Sequence, residues 1–164
     1  MDIIEDVHNA RYTYNDLKPD NIMLSSDLEG NIKVSLIDYG FAKKYKEHSK
    51  HIEKNTESLA FQGNLLFASP NQLRFYATSR IDDLQSLLYL MFYMFNGCFL
   101  PGFESYDDET CDKIGFYKNM TAYKKDFTPQ IMLDRTEMDS RLKLKLGKIV
   151  KYIMGLDFSD RPAY

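Results

Sequence analysis

The polar residues best suited to catalysis lie in two short motifs. The first, Tyr14 to Asn21, contains Asp16, Lys18 and Asn21, and the second begins with Asp38, directly after an alternating apolar run. Phosphoryl transfer requires a carboxylate that orients a hydroxyl and accepts its proton, a cation that balances phosphoryl charge, and oxygen ligands for Mg²⁺. Because Mg²⁺ takes only one or two protein oxygens, Asn21 and Asp38 would suffice as its ligands.

The same residues have a simpler interpretation. Pro, Asp and Asn form turns, so the first motif could be a solvated turn, and the tripeptide that begins at Asp38 is common on its own. The two motifs occur in this order, however, and a stretch of hairpin length separates them. This combination is hard to obtain by chance and favours the phosphoryl-transfer interpretation.

A β-hairpin is predicted between the two motifs. Residues 22–24 and 32–37 have the pattern of short strands, and the segment between them carries turn residues, with Gly30 able to adopt a positive φ. Such a hairpin would bring Asn21 and Asp38 side by side at its open end. This placement explains how residues far apart in sequence could share one metal ion.

The two motifs resemble those of protein kinases. Asp16-Leu-Lys-Pro-Asp-Asn21 is similar to the catalytic loop His-Arg-Asp-Leu-Lys-x-x-Asn, and Asp38-Tyr-Gly is similar to the metal-binding Asp-Phe-Gly. The resemblance implies ATP and Mg²⁺ as cofactors and protein hydroxyls as substrates. It implies that Asp16 and Lys18 are catalytic, that Lys18, Asn21 and Asp38 bind the nucleotide, and that Asn21 and Asp38 bind the metal.

Three further stretches resemble the casein kinase 1 group, with the vaccinia-related kinases as near neighbours. They are Phe41-Ala-Lys-Lys-Tyr45, Gly63 to Asn71, which ends in Ser-Pro-Asn where most kinases have Ala-Pro-Glu, and Ser79 to Leu87. The resemblance implies a C-terminal lobe over residues 1–164, truncated at both ends and without an N-terminal lobe. Its parts are the catalytic loop 14–21, the metal-binding motif 38–40, the activation segment 38–71 and a central helix 80–96.

The predicted fold is mainly α-helical with this one small hairpin. Apolar spacing predicts helices over residues 2–9, 80–96 and 142–153, the last preceded by capping residues at 136–139, and a weak helix over 108–117. The helix over 80–96 is apolar nearly all round, which predicts burial on all sides, and Asn96-Gly97 is a stop signal. The resemblance implies that Asp83 hydrogen-bonds the backbone of the catalytic loop, and the alternative is an ordinary acid at a helix N-terminus.

Four positions depart from the family pattern. Tyr14 stands where His is usual and is expected to pack beneath the metal-binding motif. Asn15 replaces an Arg that meets a phosphate on the activation segment, so we expect activity without such phosphorylation. Asn64 replaces a Thr that bonds the catalytic acid and Lys, and could act as the donor instead. Leu66 replaces an Arg that binds anions near the substrate site, so the preference for acidic or phosphorylated targets that the family implies is in doubt.

A cluster of basic residues could bind acidic targets in place of that Arg, although a solvated, flexible face is the favoured interpretation. The cluster consists of Lys43, Lys44, Lys46, His48, Lys50 and His51.

Composition limits the class of protein. The 164 residues are 44% hydrophobic with a net charge of −3, which suits one globular domain and gives no electrostatic case for nucleic-acid or membrane partners. The cysteines, Cys98 and Cys111, show no pairing pattern, and no signal peptide is visible, so an intracellular location in cytoplasm or nucleus is expected. Leu87 to Phe95, the longest apolar run, is too short to span a bilayer.

Two hypotheses of different class follow. In the first, the chain is a serine/threonine protein kinase of casein kinase 1 type, which transfers the ATP γ-phosphate when a missing segment or another polypeptide supplies the N-terminal lobe. No glycine-rich phosphate loop and no strand Lys with a helical Glu partner precede the catalytic loop. In the second, the chain is a pseudokinase-like binding module that performs no transfer.

Overall fold

The computed structural model describes residues 2–48, 50–54, 56–105 and 112–164. Within these ranges the fold is mainly α-helical, as predicted. Two short 3₁₀ turns, Pro19–Asn21 and Phe103–Ser105, accompany the α-helices. The α-helices of the described ranges are α1 Asp2–Asn9, α2 Pro70–Leu73, α3 Arg80–Phe95, α4 Lys113–Asp126, α5 Pro129–Arg135 and α6 Ser140–Met154.

The predicted hairpin is present. Strands β2 (Ile22–Ser26) and β3 (Ile32–Leu36) pair antiparallel, with Ile22 opposite Leu36. The turn between them is closed by the Asp27 carboxylate, which accepts hydrogen bonds from the backbone N–H of Glu29 and Asn31. These bonds fix the register, because a tight turn sets which residues lie opposite each other.

Helix α3 is the centre of the fold. Ser79 caps it in a capping box with Asp82, which satisfies backbone N–H groups that the first turn leaves unpaired. The helix ends at Asn96, and Gly97 follows with a φ of +68°, so the predicted stop signal is confirmed. Leu84, Leu88 and Phe92 are fully buried, and they pack with residues of α1, α4, α5 and α6 in one core. Burial of this kind contributes roughly 1.5–3 kcal/mol for each large apolar side chain.

The prediction that α3 is buried on all sides is wrong at its last turn. Met94 is 57% exposed and Phe95 is 40% exposed, whereas Met91 and Tyr93 are half-buried. The first three turns lie inside the packed helices, but the last turn extends beyond them into solvent. The apolar sequence of α3 therefore predicted correctly that most of the helix is buried, but it did not predict that the last turn is exposed.

Several elements were missed. One hairpin was predicted, but two further pairs of strands are present. Strand β1 (Tyr12–Thr13) pairs with β4 (Lys43–Lys44), and β5 (Lys46–Glu47) pairs with β6 (Lys50–His51). Much of the basic cluster therefore lies in short strands, with Lys43 and Lys46 half-buried. Helices α2 and α5 were also not predicted.

The weak helix predicted over 108–117 lies partly outside the described residues. In the described part, α4 begins at Lys113 after an Asp112 cap and continues to Asp126, nine residues beyond the predicted end. Helix α6 confirms the predicted run over 142–153, and Asp139 from the predicted capping segment is its N-cap. None of the helices in the described ranges combines the length and apolar content needed to cross a bilayer.

Candidate active site

The catalytic-loop residues Asp16, Lys18 and Asn21 are joined by hydrogen bonds. Because a 3₁₀ turn spans Pro19–Asn21, the Asn21 side chain folds back on the loop, and its Nδ2 donates to the Asp16 carbonyl oxygen at 2.9 Å and to Asp16 Oδ2 at 2.8 Å. Lys18 Nζ lies 3.0 Å from the same Oδ2. The local fold thus brings these three predicted site residues together.

The two carboxylate oxygens of Asp16 differ in their contacts. The Asp16 side chain is 1% exposed, and its Oδ1 has no hydrogen-bond partner among the described residues. A buried acceptor without a partner is costly, so this oxygen needs a donor, a place that water or a bound hydroxyl can take. The two donors on Oδ2 hold the carboxylate so that Oδ1 is the oxygen left to meet that donor.

Asp38 lies at the open end of the hairpin. Ile37 N–H donates to the Asn21 carbonyl oxygen at 3.0 Å, so the chain reaches Asp38 one residue beyond this bond. The backbone of Asp38 is left-handed, with a φ of +56°, and its Oδ1 accepts from Gly40 N–H at 3.1 Å. The hairpin therefore places Asp38 and Asn21 at the same end, as its register requires.

These two residues have the chemistry of a magnesium site. The two bonds from the Asn21 side chain to Asp16 use its amide nitrogen, so the amide oxygen is the atom that can bind a cation. Asp38 keeps a second carboxylate oxygen and is exposed. An amide oxygen and a carboxylate oxygen, with water completing the shell, suit a hard cation such as Mg²⁺.

Tyr14 connects the catalytic loop to the metal-binding motif, as expected for an aromatic residue at this position. Its hydroxyl donates to the carbonyl oxygen of Ile37, and its ring meets that of Tyr39 edge-on at 5.3 Å. The residue is fully buried, and burial raises the pKa of Tyr14 above its ordinary value. The hydroxyl therefore remains a donor at neutral pH and holds the residue before Asp38.

Asp83 anchors the catalytic loop, which confirms the expectation drawn from resemblance. Its Oδ2 accepts from Tyr14 N–H at 2.7 Å and its Oδ1 accepts from Asn15 N–H at 2.8 Å. His8 Nε2 lies 2.8 Å from the same Oδ2. With 1% exposure, this carboxylate satisfies two consecutive loop amides rather than capping its own helix.

Asn15 uses its side chain inside the protein. Its Nδ2 donates to Thr13 Oγ1 at 3.0 Å and to the Phe41 carbonyl oxygen at 2.9 Å, and its Oδ1 accepts from Thr78 Oγ1 at 2.6 Å. These contacts join the catalytic loop to the start of the activation segment with neutral groups. A neutral amide with these internal contacts is a poor partner for a phosphate, and activity without activation-segment phosphorylation stays a prediction.

The donor role considered for Asn64 does not appear. Its Oδ1 accepts from Leu66 N–H at 2.8 Å, a local turn, and within the described ranges the side chain makes no bond to Asp16 or Lys18. Leu66 is half-buried against the core.

Gly63 lies where the activation segment passes the catalytic loop. It has a φ of +99°, and a Cβ there would lie 2.2 Å from the Asn15 carbonyl oxygen. Only glycine fits where the activation segment crosses the catalytic loop.

Sequence reasoning missed a polar cluster behind the loop. The Tyr45 hydroxyl donates to the His8 carbonyl oxygen at 2.7 Å and accepts from Arg80 Nη1 at 3.2 Å. The Arg80 guanidinium also lies 4.7 Å from the Tyr45 ring centre. His8 was not among the predicted site residues. Its position four residues after the buried Ile4, on the buried face of α1, was the available signal.

Comparison with known proteins identifies the family of this chain. The sequence model of the protein kinase domain matches residues 1–164, so the chain belongs to the protein kinase domain family. It is similar to a probable casein kinase I homolog of Encephalitozoon cuniculi (strain GB-M1), with 35% identity over 99 residues. The match covers 59% of this chain and 31% of that relative, so the chain spans about a third of the relative's length.

Proposed function

We propose that the protein is a serine/threonine protein kinase of casein kinase 1 type, which transfers the ATP γ-phosphate to protein hydroxyls. The observation that carries this proposal is the hydrogen-bonded set of Asp16, Lys18 and Asn21, in which Asp16 Oδ1 has no described partner. The similarity to a casein kinase I homolog supports the group assignment. The protein would act inside the cell, in the cytoplasm or nucleus, on protein substrates.

Each residue has a defined task in this reaction. Asp16 Oδ1 accepts a hydrogen bond from the substrate hydroxyl and takes its proton as the hydroxyl oxygen bonds to the γ-phosphorus. The bond from that phosphorus to the β–γ bridging oxygen breaks, and ADP leaves. Lys18 Nζ, 3.0 Å from Asp16 and 24% exposed, stabilises the charge on the transferred group while it holds Asp16 in place.

The metal site in this proposal consists of Asn21 and Asp38. Mg²⁺ bound there would neutralise phosphate charge and fix the nucleotide. The role of the chain is to present an amide oxygen and a carboxylate oxygen at the open end of the hairpin. The bond from Ile37 N–H to the Asn21 carbonyl oxygen and the bond from the Tyr14 hydroxyl to the Ile37 carbonyl oxygen hold the backbone in place at that end.

The proposal includes a second lobe. A kinase holds its nucleotide between two walls, and the described residues supply the wall that carries the catalytic loop. A glycine-rich N-terminal lobe, from a segment outside these 164 residues or from another polypeptide, would supply the second wall. The described residues thus act as the C-terminal lobe, and the polypeptide that completes the cleft is a predicted partner.

Thermal unfolding with Mg²⁺ and ATP tests nucleotide binding. Ligand binding to the folded state raises the Tm in proportion to ln(1 + [L]/Kd). We expect millimolar Mg²⁺ and ATP to raise the Tm of the wild type, Asp38→Ala to abolish the rise, and Asp20→Ala to retain it. Asp20 is a matched control because it is an exposed acid of the same loop. The absence of a rise in the wild type would favour the binding module that performs no transfer.

Phosphate transfer to casein separates the kinase from a binding module. Asp16→Asn preserves the size of the side chain but removes the proton acceptor, so we expect transfer to fall by about 10²-fold or more. The assay uses the chain together with a polypeptide that supplies an N-terminal lobe. A Tm rise without any transfer above the Asp16→Asn background would favour the pseudokinase-like binding module.

A further inference from the structure

Tyr164 lies behind the catalytic loop, far from it in sequence. Its hydroxyl is hydrogen-bonded to His8 Nδ1, and the two rings are tilted against each other with their centres 5.6 Å apart. The segment that carries Tyr164 is fixed by two further contacts: Arg80 Nη2 donates to the Ser159 carbonyl oxygen at 2.7 Å, and Ala163 N–H donates to the Tyr152 hydroxyl. The Tyr164 hydroxyl is therefore presented to His8 by an ordered segment.

His8 connects this hydroxyl to the anchor of the catalytic loop. Its Nε2 lies 2.8 Å from Asp83 Oδ2, and Asp83 accepts from the backbone N–H groups of Tyr14 and Asn15. The direction of these two bonds depends on the tautomer of the His8 ring. With the hydrogen on Nε2, His8 donates to Asp83 and accepts from the Tyr164 hydroxyl. One run of hydrogen bonds thus joins Tyr164 to two consecutive amides of the loop.

The Tyr164 hydroxyl matters because the residues that it links are buried. His8 is 2% exposed and Asp83 is 1% exposed, so neither can replace a lost bond with bulk water. Tyr45 cannot replace Tyr164 as the partner of the His8 ring. The centres of the Tyr45 and His8 rings are 6.2 Å apart, edge-on, but the Tyr45 hydroxyl already donates to the His8 carbonyl oxygen and accepts from Arg80. Burial also raises the pKa of Tyr164 above its ordinary value, so the phenol keeps its hydrogen at neutral pH.

We propose that Tyr164 is a positioning residue for the catalytic loop, because its hydroxyl fixes the ring of His8 and thereby the Asp83 carboxylate that holds Tyr14 and Asn15. The inference rests on the proposed function only in treating residues 14–21 as a catalytic loop. The loop amides held by Asp83 precede Asp16 directly in sequence. Loss of the Tyr164 hydroxyl loosens the backbone from which the proposed base projects.

Tyr164→Phe tests this without requiring nucleotide binding or activity. The substitution keeps the ring that packs on His8 and removes one hydrogen bond, so local opening should become about fivefold more frequent. We expect amide hydrogen exchange at Tyr14 and Asn15, measured by NMR, to become about fivefold faster, with the amides in the middle of α3 unchanged. Tyr117→Phe is the matched control, since Tyr117 is half-buried and its hydroxyl donates to the Leu73 carbonyl oxygen.

Four results would overturn the proposal. The first is unchanged exchange at both loop amides in Tyr164→Phe. The second is an equal acceleration at those amides and in the middle of α3, which would show a general loss of stability. The third is the same acceleration at the two loop amides from Tyr117→Phe. The fourth comes from the wild type alone: ¹⁵N chemical shifts of the His8 ring at pH 8 that place no hydrogen on Nε2.

A functional readout follows once transfer activity is established. In the phosphate-transfer assay described above, Tyr164→Phe should lower kcat and leave the KM for the protein substrate unchanged, because the loop and not the docking surface is disturbed. A failure to detect transfer in the wild type would count against the proposed kinase activity. It would leave the exchange result at Tyr14 and Asn15 as an independent answer on the role of Tyr164.

Discussion

Replacing Asp82 with asparagine should stabilise the protein at neutral pH and have a smaller effect in acid. Asp82 is 2% exposed and accepts hydrogen bonds from Ser69 Oγ at 2.6 Å and Ser79 N–H at 2.8 Å. Despite these bonds, burial raises the pKa of Asp82 from 3.8 to about 6, because the buried environment disfavours the charged form. The asparagine amide can keep both contacts, since its oxygen accepts and its nitrogen donates.

The size of the effect follows from the difference between the two pKa values. An acid whose pKa is raised by folding binds its proton more tightly in the folded state. Its contribution to stability is complete in acid and is lost as the pH rises through about 6. A difference of about two pKa units corresponds to about 3 kcal/mol, of which roughly 1 kcal/mol falls between pH 5 and pH 7.

Urea unfolding at a series of pH values measures this quantity. The protein has 12 Tyr and no Trp, so tyrosine fluorescence and far-ultraviolet circular dichroism report unfolding. The free energy of unfolding of Asp82→Asn minus that of the wild type should rise by roughly 1 kcal/mol from pH 5 to pH 7. Asp139→Asn, at the exposed N-cap of α6, controls for loss of one negative charge and should show no comparable rise. A difference that stays constant or falls with pH would refute the reasoning.

Four further predictions follow. Asp83→Ala leaves a buried His8 and two loop amides unpaired and should lower the free energy of unfolding by about 3–5 kcal/mol in urea titrations; a loss below about 1 kcal/mol would contradict the anchor. Gly63→Ala, at a φ of +99° with 2.2 Å to the Asn15 carbonyl oxygen, should cost more than about 2 kcal/mol in the same assay. Burial lowers the pKa of Lys124 well below 10.5, so its contribution to stability grows as the pH rises toward that value. The Lys124→Met minus wild-type difference in unfolding free energy should therefore shrink with increasing pH. Phosphatase treatment should leave phosphate transfer unchanged, because Asn15 offers no charge to an activation-segment phosphate.

The parts of the fold that were predicted correctly are those with strong local rules. Helix α3 was placed within one residue because Ser79 and Asn96-Gly97 mark its ends. The hairpin was placed because alternation in 32–37 and the turn residues before it agree. The catalytic loop was recognised from residue types at fixed spacing, and the structure joins Asp16, Lys18 and Asn21 as that spacing suggested.

What was missed depends on contacts between distant residues. Strands β1, β4, β5 and β6 are two residues long, and two residues carry no detectable alternation. Helix α5 has only seven residues, and its Thr128 cap with Pro129 at the first position was the signal that went unused. His8 could not be identified as a link in the site, because its partners Asp83 and Tyr164 are 75 and 156 residues away.

The hairpin that places Asn21 and Asp38 at one end also affects how the protein must be handled. Apolar side chains on both of its strands are in water, among them Met23 at 53%, Leu24 at 69% and Ile32 at 76% exposure. In the described structure β2 and β3 pair only with each other, so the outer edge of each strand keeps unpaired backbone groups. Such a ribbon promotes aggregation of concentrated protein. Dilute samples and a lysine in place of Leu28 at the tip, which is fully exposed, would keep purified material monomeric for every measurement above.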